Sequence, residues 1–207
     1  MKKKSIDLGK VIYIVAFLMF GCSSSGVMGC GGEAGPTIES ELLGVYRVDR
    51  YQGSQVGCDA VSDIANPFAF LVLYPFRPID DPDETLLGGI FCADVDTCRA
   101  DAKQEPEPTI GYSFTTGDDA SGWRGWAIQS GGPSNDQCRA DVQAHVLTST
   151  SGGTIGIETQ TFETVFPPAE MDGTNVTCRN ADAIASLNDE LECMEIIILE
   201  ATFEANL

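Results

Sequence analysis

Residues 138–148 read CRADVQAHVLT, and their alternation decides the fold class. Cys138, Ala140, Val142, Ala144 and Val146 fall on one side of an extended chain, and Arg139, Asp141, Gln143 and His145 on the other. Successive side chains of a strand point to opposite faces, so the pattern predicts a strand with one face on a core and one in water. On this pattern His145 is expected at the solvent face.

Seven more runs of the same kind surround it. Downstream, 154–166 follows a Ser151, Gly152, Gly153 turn. Its apolar phase moves from Ile155 and Ile157 to Phe162 and Phe166, which predicts a β-bulge near Thr159. The last run, 193–205, places Ile197, Leu199, Ala201 and Phe203 on one face. Upstream, 123–129 joins a run containing Ile110, Tyr112 and Phe114 through a turn at 117–122, which reads as a hairpin. Nearer the start are 86–93, the doubly apolar 68–76, and a first strand with Leu42, Gly44, Tyr46 and Val48 on one face. One or two short helices are expected: a helical or turn segment from Asp96, as its cap, to Gln104, and a helix capped by Asn180 and running from 181 to 191, where Ile184, Leu187 and Leu191 recur at helical spacing. Eight strands with turn signals and only these helices predict a single, mainly β domain over 40–207, an antiparallel barrel with a sandwich as the alternative.

The N-terminus has a different character. Lys2, Lys3, Lys4 and Lys10 precede the apolar run 11–20, which ends at Gly21 and Cys22. This is the order of parts of an export signal, and the run is about half the ~20 residues needed to span a bilayer. The stretch Leu18, Met19, Phe20, Gly21, Cys22 resembles the lipobox of bacterial lipoproteins. The resemblance implies removal of residues 1–21, lipid on the Cys22 sulfur, and a membrane partner reached through that anchor. Ser23 is compatible with the outer rather than the inner membrane of the cell envelope. A second candidate, Val27, Met28, Gly29, Cys30, would leave six later cysteines, an even number. Residues 22–39, rich in Ser and Gly, read as a flexible tether.

Without residues 1–21, which hold four lysines and one aspartate, the formal charge moves from −19 to −22. So acidic a domain repels nucleic acid and anionic surfaces, which removes both from the expected partners. Cys58, Cys92, Cys98, Cys138, Cys178 and Cys193 in an exported chain favour disulfides, with 15 possible connectivities. Cys178 and Cys193 flank the second helix, yet a helix over 181–191 would separate them by about 16 Å, too far for a direct bond. No C-x-x-C is present and His145 is the single histidine, so zinc is disfavoured.

The remaining candidate chemistry is thin. Asp80, Asp81, Asp83 and Glu84 cluster in one turn, and Asp118 with Asp119 in another, offering hard oxygen ligands to calcium without the order of an EF-hand loop. Trp123 and Trp126 are candidates for an aromatic platform under a ligand, and alternation sends them to opposite faces. Gly44-Val45-Tyr46 together with the strand count resembles the lipocalins, eight-stranded barrels that hold small hydrophobic ligands; tyrosine stands here for the family's tryptophan, and the helix precedes the last strand instead of following it. The expected role is a non-enzymatic, lipid-anchored envelope protein that binds a small ligand or a protein partner or serves a structural surface role. The alternative is a carboxylate-dependent hydrolase. A deep apolar cavity at a barrel end would support ligand binding, a cleft with two facing acids hydrolysis, and a filled barrel a structural role.

Overall fold

Each of the eight runs is a strand. The computed structural model describes residues 40–207 other than 55, 80, 109, 110, 135, 136, 151, 173, 174 and 189, so residues 1–21, the tether, Cys22, Cys30 and Asp80 lie outside the described residues. In chain order the elements are β1 (Gly44–Ser54), β2 (Ser62–Asp63), β3 (Phe70–Phe76), β4 (Leu86–Cys92), α1 (Val95–Ala102), β5 (Gly111–Phe114), β6 (Thr116–Asp118), β7 (Gly122–Ser134), β8 (Gln137–Thr150), β9 (Thr154–Phe166), β10 (Glu170–Asp172), β11 (Asn175–Thr177), α2 (Asn180–Ala185) and β12 (Cys193–Ala205). The strands that sequence patterning does not reveal, β2, β6, β10 and β11, are two or three residues long, too short for alternation to register.

Nine strands form a nearly closed antiparallel barrel in the order β5-β4-β3-β1-β12-β9-β8-β7-β6. The first and last long strands pair, so the chain winds once around and returns to its start. Strands β5 and β6 flank Thr115 and act as two halves of one bent strand: β5 pairs with β4, and β6 with β7. Between β5 and β7 the Thr115 amide donates to the Arg124 carbonyl at 2.8 Å. Gly125 permits that approach, because a Cβ there would lie 1.7 Å from the Ser113 carbonyl oxygen. Gly117, at φ 126°, supplies the bend in a conformation that other residues rarely adopt.

The wall has apolar clusters on both faces. Inside, Leu71, Leu73, Leu87, Phe114, Leu147, Ile157 and Leu199 are at most 1% exposed. Outside, α1 lays Cys98 and Ala102 over Val45, Val72, Tyr74 and Phe76, and α2 lays Ala183 over Cys138, Ala140, Val142, Phe162 and Phe166 with Leu187 beside it. This two-sided burial corrects two expectations. No bulge occurs near Thr159: β8 and β9 pair in unbroken register from Cys138↔Phe166 to Thr150↔Thr154. The apolar phase of β9 switches because its first half faces the barrel interior and its second half faces α2. For the same reason β8 is not core on one side and wet on the other. Its outward Cys138, Ala140 and Val142 are buried under α2, its outward Ala144 and Val146 only half-buried, and its inward His145 and Leu147 are buried in the barrel.

The helices also depart from expectation at their ends. Asp94, not Asp96, caps α1; its backbone is extended and its carboxylate accepts from the Thr97 amide at 2.8 Å. Helix α2 is one and a half turns long, follows Arg179 without a side-chain cap, and stops at Ser186, whose hydroxyl donates to the Ala183 carbonyl. The cysteines pair as Cys58–Cys193, Cys92–Cys98 and Cys138–Cys178, with Cα separations of 5.7, 5.3 and 5.6 Å. Cys178 therefore bonds to the start of β8 and Cys193 to the loop after β1, and not to each other. Residues 98–101 and 138–141 both read Cys-Arg-Ala-Asp, yet the first lies within α1 and the second within β8.

Candidate functional site: the two ends of the barrel

One end of the barrel is plugged. Hairpin β6–β7 folds across it, and the Asp119 carboxylate accepts from the Ser40 hydroxyl at 2.7 Å, the Glu41 amide at 2.7 Å and Trp123 Nε1 at 2.8 Å. The Asp119 carbonyl takes a further bond from Ser149 Oγ at 3.3 Å, and the Tyr46 hydroxyl donates to the Leu42 carbonyl at 2.8 Å. Burial, with the Asp119 charge adding to it, pushes the Tyr46 hydroxyl up to about 12. Trp123 packs its indole against the inner core, opposite Leu147.

At the other end, the mouth, the inward side chains are less fully covered. Strand parity carries the inward face from the plugged core to Tyr51, Phe91, Gln143, Glu195 and Ile197, all half-buried, whereas toward the plug Tyr46, Leu147 and Ile155 are buried, Trp123 is half-buried, and Phe203, expected on the inner face, is 38% exposed at the edge. Phe68 stacks on Phe91 with ring centroids 4.0 Å apart, and Phe91 meets Tyr112 edge-on at 5.7 Å. Ile64 reaches over Gly53, close to Ile197. Beyond them β8 and β9 overhang the rim with Asp141 and Glu163 as cross-strand partners; Arg139 is ion-paired with Glu163 and feels the Asp141 charge.

Between the mouth and the packed core lies a polar layer. His145 is 2% exposed, Thr159 4% and Tyr112 6%. His145 Nδ1 and Thr159 Oγ1 share a hydrogen bond of 3.0 Å, Thr159 also interacts with the Tyr112 hydroxyl, and the Tyr112 ring stands edge-on to the imidazole at 5.1 Å. His145 Nε2 has no hydrogen-bond partner among the described residues. Burial lowers the His145 pKa to about 4, so the ring is neutral at neutral pH. It also raises the Tyr112 hydroxyl and, with a contribution from Glu195, that of Tyr51. The expectation of a solvent-exposed His145 is thus corrected: Leu147, two residues on and on the same side, shows that this face runs into a core.

No protein-family model, curated protein or solved structure matches the chain.

The other residues singled out from sequence are dispersed. Trp126 faces outward and packs half-buried in the cluster under α2, so the two tryptophans form no joint platform. Asp81, Asp83 and Glu84 are exposed in the β3–β4 turn, where the Glu84 amide donates to the Asp81 carbonyl. The Asp118 carboxylate is held below its ordinary range by the Ser121 and Ala120 amides that it accepts from. Among the described residues no three His, Cys, Asp or Glu side chains converge as a metal shell. No helix among them is long and apolar enough to cross a membrane. On the outer wall, β8, β9 and β12 leave a groove of about 430 Å³ over Gly156. Of the two carboxylates lining it, Glu158 accepts from Gln160 at 2.6 Å and Glu200 pairs with Arg50 at 3.5 Å.

Proposed function

We propose that the chain is a lipid-anchored protein of the bacterial cell envelope, held at the outer membrane through Cys22, whose barrel offers its open end to a small ligand without catalysing a reaction. The observation that carries the binding reading is the asymmetry of the inner face: mostly apolar and buried toward one end, aromatic, polar and half-exposed toward the other. Support for the anchor is the short apolar run that ends in Cys22. Two or three acyl chains at about 0.8 kcal/mol per buried CH₂ hold a protein stably where one chain does not. Ser40 is bound at the plug, so the tether joins the domain at the end opposite the mouth. The acidic surface keeps the domain off anionic headgroups.

Intact-mass measurement on the protein extracted from its own membrane tests the anchor. The expected mass is that of residues 22–207 with three disulfides and a diacylglycerol plus a further acyl chain on Cys22. An unacylated mass, recovered with the soluble fraction, would overturn the anchor; a chain beginning at Cys30 would move it to the other cysteine.

A further inference from the structure

The geometry points to His145 Nε2 as the hydrogen-bonding anchor of the mouth, accepting a hydrogen from an uncharged small molecule that has a flat apolar body and one N–H or O–H donor. This rests on the ligand-binding reading above and names the chemical class of that ligand.

Three observations carry it. First, buried polar atoms in folded proteins are nearly always paired, and His145 Nε2, in the layer beneath the mouth, is not. Second, its tautomer follows from cost. Unpaired buried N–H groups are rarer than under-satisfied acceptors, so the favoured arrangement puts the ring proton on Nδ1, donating to Thr159, and leaves the Nε2 lone pair open. Nε2 is therefore an acceptor that a donor can satisfy. Third, the side chains toward the mouth are flat or apolar: Tyr51, Phe91 and Ile197 are half-buried, Ile64 lies over Gly53, and Phe68 is stacked on Phe91, a set suited to a flat apolar body. A charged head is excluded on two grounds. The surrounding layer of Tyr112, His145 and Thr159 holds no charge to compensate a desolvated ion. Glu195, on the inward face beside Tyr51, disfavours an anion in particular.

His145 is the single histidine, so ¹⁵N-histidine labelling of the full-length chain gives one imidazole, whose two nitrogens report directly. Indole serves as the probe, with benzofuran as the same shape lacking the N–H. The free protein is expected to show Nδ1 protonated and Nε2 bare. Indole should move the Nε2 resonance saturably and perturb the ring protons of Tyr51 and Phe91. Benzofuran should bind about tenfold more weakly, the loss of one buried hydrogen bond, and leave Nε2 in place. If indole perturbs Tyr51 and Phe91 while Nε2 stays still, or if Nε2 carries the proton, the anchor is wrong and the mouth survives as a binding site. If saturating indole perturbs neither the mouth nor His145, the ligand-binding reading falls with it.

Discussion

At the plugged end of the barrel a single carboxylate, Asp119, gathers three donors over buried Tyr46 and Leu147 and half-buried Trp123; at the other end the inward Tyr51, Phe91 and Ile197 are all half-exposed. The covalent bracing is distributed the opposite way. Among the described residues the three disulfides tie elements at the mouth, where β1 stops, β4 stops, β8 starts and β12 starts, and none lies at the plug. The contrast shows two means of holding a sheet edge. Where inward side chains can be buried, burial and hydrogen bonds suffice. Where the interior is left open, that stabilisation is forgone, and cross-links that restrict the unfolded chain replace it.

The largest expected effect comes from removing that bracing. Cys58–Cys193 closes a loop of 135 residues, and its loss by paired serine substitution should cost about 5 kcal/mol on the loop-entropy estimate. Beyond the global loss of protection this entails, hydrogen exchange of the variant should show a larger loss in β12 near Ile196 and in β1 near Gly53 than at Tyr46 and Phe203. Uniform loss across both ends would break the division. At the plug, Trp123→Ala should cost about 3 kcal/mol through lost packing, measured by urea unfolding at neutral pH, and should leave the mouth's exchange unchanged.

The polar layer between the ends gives a pH signature. The folded pKa of His145 is about 4, below its ordinary value, so between about pH 6.5 and 4 the unfolded chain takes up a proton that the folded chain refuses. Stability from this group is complete above that window and falls as the pH drops through it, by about 3 kcal/mol in all. His145→Gln should flatten the dependence within the window. The separate fall at lower pH, from Asp49, Asp94 and Asp118, whose hydrogen bonds hold them below the ordinary carboxylate range, should remain. An unchanged slope between pH 6.5 and 4 in the variant would contradict a buried neutral imidazole. The smallest effect is expected from Asp119→Ala, about 2 kcal/mol for three donors that can turn partly to water, read as a lower midpoint with an unchanged urea slope.

The same contrast explains what was legible in the sequence. Alternation located all eight long strands because each has at least one steadily buried face. It could not say which side of the wall that burial lies on, since period two is identical for a residue inside a barrel and one beneath a covering helix. Phe162 under α2 and Ile157 in the barrel therefore read as a phase slip, and His145 read as wet although Leu147 shares its face. The site was less legible still. Tyr51, Phe91, Tyr112, His145 and Thr159 come from five strands, and only the closure of β12 on β1 and of β7 near β5 brings them to one interior. Cystine pairing was open for the same reason: it depends on which strand ends meet. The acidic turns and the paired tryptophans stood out by composition, yet Asp118 and Asp119 serve their own turn and the plug, and the tryptophans pack on opposite faces of the wall.

Hydroxyl-radical footprinting of the folded, oxidised full-length chain sets matched residues against each other: Tyr51 with Tyr46, and Phe91 with Phe114. A barrel open at one end requires Tyr51 and Phe91 to be oxidised several-fold faster than their plugged counterparts, and the difference to vanish on unfolding in urea. Equal protection of both members of each pair in the folded state would contradict an open mouth.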